Sequence, residues 1–117
     1  MKKMFSIIFT CVMFMMVLGV HYPNDILFKH YCEYMNIDKL SSCLQKTFPN
    51  EVKTVFYNCV QAIAVNIRDP KKRQIFFCNQ ATEQQIKDFD QCLDMKLNYR
   101  QMDTYNNNFG KCLEIPY

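Results

Sequence analysis

The sequence predicts an all-α protein, a small bundle of five or six short helices stapled by disulfides. Three observations carry this. Apolar residues recur at three- and four-residue steps through most of the chain, Gly is nearly absent, and the cysteines are even in number once the first segment is set aside. Of the two glycines, only Gly110 lies beyond residue 19. A β-sandwich or loop-rich knot normally needs more glycines at its turns.

Residues 1–19 have Lys2 and Lys3, an apolar run from Ile7 to Leu18, and then small or β-branched residues. This is the layout of a secretory signal peptide, and the run is short of the ~20 residues a bilayer span needs. The expected cut follows Gly19, with Val20 as the near alternative, leaving 20–117 as one cysteine-rich helical domain. No later stretch is apolar enough to cross a membrane. Cys11 leaves with the leader, so Cys32, Cys43, Cys59, Cys78, Cys92 and Cys112 remain. Six cysteines in an exported chain of this size read as three disulfides, and spacing does not choose among the 15 pairings. Each bridge is expected to add about 2 to 4 kcal/mol.

The formal net charge of +3 falls to about +1 without Lys2 and Lys3. A nucleic-acid binder or a membrane-disrupting cationic peptide wants a clearer positive excess, so both classes are set aside.

A first helix is expected from a cap at Asn24 or Asp25 to about Met35, with Ile26, Leu27, His30, Tyr31 and Tyr34 on one side. Asn36 caps a second, whose apolar positions are Ile37, Leu40, Cys43 and Leu44. Phe48-Pro49-Asn50 breaks the pattern, because a residue before proline is pushed out of the α region. The third helix spans the segment 48–67 and carries the broadest apolar stripe: Val52, Val55, Phe56, Cys59, Val60, Ile63 and Ile67. Asp69 with Pro70 opens a short fourth helix through Phe77 and Cys78. Thr82 and Gln85 have capping-box spacing and open a fifth, with Ile86, Phe89, Leu93 and Leu97 inward and Cys92 alongside. The last uses Met102, Tyr105, Phe109, Cys112 and Leu113. Asn106 to Asn108 and Gly110 have poor helix propensity, so its end is expected to fray or stop early.

Arg68, Lys71, Lys72 and Arg73 form the one concentrated basic cluster, a contact surface for an anionic partner or else a solvated turn. His21, first or second after the cut, can chelate copper together with the free amine; a terminus with no ligand is the plainer outcome. His30 reads as a half-buried packing residue. Asp90 and Asp94 share a helix face and Asp88 does not, which suggests an ordinary solvated surface. The aromatic residues fall on the apolar stripes and read first as core, although they suit an apolar cavity equally. No catalytic motif is present, neither histidine has a nucleophile near it in sequence, and no cofactor is implied.

Two stretches resemble microplusin-type secreted proteins of ticks and spiders, small helical six-cysteine antimicrobials. One is Cys32 to Val60, through Leu40, Cys43, Leu44, Pro49 and Phe56. The other is Thr82 to Phe89, TEQQIKDF. The later cysteines are set wider than in that family, and its histidine-rich termini are absent, with His21 alone near the start. The resemblance implies an arthropod secretion such as venom, saliva or haemolymph, and copper binding at most at His21.

The first expectation is therefore a secreted, monomeric, non-catalytic binding protein, a venom, salivary or defence component whose partner is a protein, glycan or lipid outside the cell. The second is a carrier of a small apolar ligand, like the odorant-binding proteins, although the C-x-x-x-C spacing typical of those carriers is missing. A buried apolar cavity of roughly 300 Å³ or more favours the carrier; a tightly filled core favours the binder.

Overall fold

A computed structural model describes residues 24–115. Six helices make up almost all of this region: α1 (Asn24–Glu33), α2 (Ile37–Thr47), α3 (Asn50–Ile63), α4 (Pro70–Ile75), α5 (Glu83–Lys96) and α6 (Tyr99–Cys112). A single π-helical turn, Phe76–Gln80, extends α4. No strand occurs among the described residues.

The expected starts hold at the level of individual hydrogen bonds. The Asn36 side chain accepts from the Lys39 backbone N–H at 3.2 Å, and Asp69 accepts from that of Lys72 at 3.0 Å. Each satisfies a donor that the first turn of a helix would otherwise leave unpaired. Thr82 and Gln85 close a reciprocal capping box, at 3.1 Å and 2.8 Å. A second such box, between Asn98 and Gln101, opens α6 and was not anticipated.

Helix α3 is the centre of the bundle. Val52, Phe56, Cys59 and Val60 are buried, and Val55, Ile63 and Ile67 are half-buried against the core. It ends at Ile63, short of the expected span, because Ala64 turns inward and Asn66 takes a positive φ of 64°. Asn tolerates that left-handed conformation better than most residues. Phe48, expected only as a break, is itself core at 3 % exposure. Its extended backbone, set by Pro49, drops the ring 5.4 Å from Phe56 and 5.6 Å from Tyr105. On α1 the inward residue is Leu27, while Ile26 faces solvent.

The end of α6 neither frays nor stops early. Gly110 is buried, Asn106 is only 1 % exposed, and the Asn108 amide donates to the Thr47 carbonyl at 3.0 Å. The helix closes in a Schellman motif: the Ile115 N–H reaches the Gly110 carbonyl at 3.1 Å and the Glu114 N–H reaches that of Lys111 at 3.0 Å. Glu114 sits at φ 61°, where glycine is usual, and its carboxylate pairs with Lys39 at 3.1 Å. Propensity lost to packing here, as it commonly does in a helix with a buried face.

The disulfides are Cys32–Cys78, Cys43–Cys112 and Cys59–Cys92. They join α1 to the π turn after α4, α2 to the end of α6, and α3 to α5. Each closes a long loop, with sequence separations of 46, 69 and 33 residues. The chain-entropy model assigns about 4 kcal/mol to each.

A polar link reinforces the first pair. Gln74 is 5 % exposed, and its amide donates to the carbonyls of Tyr31 at 2.8 Å and Tyr34 at 2.9 Å. The Tyr31 carbonyl also accepts from the Tyr34 backbone N–H at 3.3 Å, so Gln74 adds a second donor there and supplies one to the Tyr34 carbonyl beyond the end of α1. Gln74→Leu is expected to cost about 1–3 kcal/mol by removing both bonds and leaving the Tyr34 carbonyl without its Gln74 donor, measured by denaturant unfolding of the oxidised protein. Removing the buried bridge with Cys59→Ala and Cys92→Ala together is expected to cost about 2–5 kcal/mol. A change under half a kcal/mol in the double variant would show that α3 and α5 are held by packing alone.

Candidate functional site

The helices do not fill the space between them. A cavity of about 290 Å³ lies among α1, α2, α3, α5 and α6, with the start of α4 at its rim. Leu40, Leu44, Phe56, Val60 and Phe77 supply buried apolar wall, and Phe89 and Tyr57 are half-buried in it. The lining also reaches the exposed Asp25, so the cavity opens to solvent beside α1.

Why the space stays open follows from the rings around it. Phe56 meets Phe89, Phe109 and Tyr57 edge-on, at 6.2, 6.0 and 5.0 Å between centroids. Phe77 is tilted against Phe89 at 5.5 Å. Edge-to-face contacts are favourable in themselves, and they hold bulky groups apart at angles that leave a gap no small side chain enters.

Besides Asp25, Ser41, Tyr57 and Arg73, three polar side chains line this wall. Tyr31 is a half-buried phenol and Tyr105 a buried one, each pushed above its ordinary pKa by burial. They stay neutral across the physiological range and present hydroxyls. The third is Asp90, half-buried on α5, whose pKa is raised first by desolvation and then by the neighbouring Asp94. Asp90 forms no ion pair or hydrogen bond among the described residues. Sequence alone suggested a solvated face for Asp90 and Asp94; Asp94 is exposed as expected, but Asp90 is turned into the cavity wall.

The basic cluster is divided by the fold. Arg68, Lys71 and Lys72 are exposed, whereas Arg73 is half-buried and lines the cavity. Its guanidinium lies over the Tyr57 ring, 5.6 Å from the centroid, and its Nε donates to the Ile67 carbonyl at 2.7 Å. Lys71 donates to the Gln74 side chain at 3.2 Å. The four cations therefore do not form one surface. His30 is half-buried, in line with a packing role, and Asp88 is exposed and accepts from Gln84 at 2.9 Å. His21 lies outside the described residues. Among those residues no group of three or more His, Cys, Asp or Glu is placed to hold a metal ion. No described helix is long and apolar enough to cross a membrane.

A signal for the inward polar residues does exist in the sequence. Asp90 stands four residues after Ile86 and three before Leu93, on the apolar stripe of its own helix. Arg73 stands four before Phe77 in the same way. A charged residue at a stripe position is a candidate for a cavity or a buried contact.

No family model, curated protein or solved structure matches the chain.

The raised pKa of Asp90 is a statement about stability. Folding favours the protonated acid, so its contribution is complete below the unfolded-state pKa near 3.9 and is lost as pH rises through the higher folded value. Asp90→Asn is expected to raise Tm at neutral pH, with the gap over the parent closing toward pH 3 or so. Thermal melts across that range check this; a variant less stable than the parent at neutral pH would mean the carboxylate makes a favourable contact.

Proposed function

We propose that this protein is a secreted carrier of a small, predominantly apolar ligand, held among its helices, and that it performs no chemistry on that ligand. The cavity of about 290 Å³ carries this reading. It stands at the size of roughly 300 Å³ from which small-molecule sites begin, and it has their usual make-up of an apolar wall with a few placed polar groups. It opens to solvent beside α1, which gives a ligand a way in.

Three intramolecular disulfides are typical of extracellular proteins. In this reading residues 1–19 are a leader removed on export, and the bridges keep the cavity open by fixing helix positions when no ligand is present. A rigid, preformed site spends less of its binding energy on ordering. The alternative of a contact surface at Arg68, Lys71, Lys72 and Arg73 has less support, because Arg73 is engaged inside.

The oxidised protein is expected to bind a neutral apolar fluorophore such as N-phenyl-1-naphthylamine with about micromolar affinity. Val60→Phe, placed at a buried lining position, is expected to weaken this at least about tenfold while leaving Tm unchanged or higher, as filling a cavity does. Fluorescence titration with parallel thermal melts reads both. Binding that survives in a folded Val60→Phe protein would place the fluorophore elsewhere and defeat the carrier reading.

A further inference from the structure

The charges on the cavity lining are unequal in number and in use. Asp25 and Asp90 line it against the single cation Arg73. Arg73 is already engaged by the Tyr57 ring and the Ile67 carbonyl. It forms no ion pair with Asp90, and the carboxylate has no partner among the described residues. Asp94, one turn further along α5, adds negative charge nearby, and the phenol of Tyr105 on α6 stays neutral. Aromatic faces complete the surroundings, with Phe56, Phe77 and Phe89 in the wall. Rings of this kind attract a cation and repel an anion.

The Asp90 carboxylate is half-buried beside apolar rings with its oxygens within reach of solvent, so an arriving ammonium exchanges water for a charge-assisted pair. An alcohol would leave its charge standing and a fatty acid would add to it. We propose that the ligand is a small amphiphilic amine, its ammonium seated on the Asp90 carboxylate and its apolar body among the Phe rings. This rests on the carrier reading above and adds the ligand class to it. Only non-covalent contact is involved, and the amine enters and leaves in its protonated form.

The test uses three straight-chain probes of one length, 1-octylamine, 1-octanol and octanoate, each titrated by displacement of the neutral fluorophore from the full oxidised protein. Octylamine is expected to bind about tenfold or more tightly than octanol, the range that a hydrogen bond to a charged group supplies, with octanoate weakest. Asp90→Asn is expected to abolish the preference for the amine while leaving octanol affinity as it was, which also shows that the variant is folded. Asp88→Asn, an exposed change on the same helix, is expected to keep the preference. Equal affinities for the three probes, tightest binding of octanoate, or an equal loss in Asp88→Asn would overturn the amine assignment and leave the carrier standing. Absence of binding by the fluorophore and by all three probes would overturn the carrier itself. Should Asp90→Asn not fold, the order of the probes on the parent protein still decides.

Discussion

The pairing of cysteines is the constraint on which the rest of this structure depends. There are six helical units and three bridges, and every helix is joined to another once: α1 to the turn after α4, α2 to α6, α3 to α5. The shortest loop so closed is 33 residues, so all three bridges tie together parts of the chain that are far apart in sequence. Because the staples restrict the unfolded chain, the folded one can leave part of its interior unfilled and stay stable. The cavity and the bridges are in this sense one design.

The interior is divided accordingly. Phe48, Phe56, Tyr105 and Phe109 form a close aromatic cluster, with Phe48 in contact with each of the other three. Phe56 belongs both to that cluster and to the cavity wall. It therefore transmits rigidity from the packed half to the open half. On the other side, Gln74 ties α4 to the end of α1 while the Cys32–Cys78 bridge does the same covalently.

Much of the fold was legible because its signals are local. A capping residue and its partner lie three positions apart, so Asn36, Asp69 and the Thr82–Gln85 box can be read without knowing any tertiary contact. The apolar stripe of α3 works the same way. What could not be read depends on distant parts meeting. The disulfide pairing is one of 15 possibilities, and nothing local distinguishes 32–78 from the others. The persistence of α6 through Asn106 and Gly110 required α2 to lie against it and accept the Asn108 amide. A cavity is the most non-local feature of all, since it is set by the volumes of side chains from all six helices.

The polar residues inside the bundle share a position that links sequence to site. Gln74, Asp90 and Asn106 each follow an apolar residue by four and precede another by three: Pro70 and Phe77, Ile86 and Leu93, Met102 and Phe109. Such a residue must point where its apolar neighbours point. Gln74 settles there by hydrogen-bonding the end of α1, as a buried amide must. Arg73, three before Phe76 and four before Phe77, settles by stacking on Tyr57. Asp90 faces the same apolar interior with no hydrogen bond or ion pair among the described residues, and it borders the cavity. In the proposed reading its carboxylate is the group that an amine would pair with, which is why the cavity's chemistry is to be sought there and not at the exposed lysines.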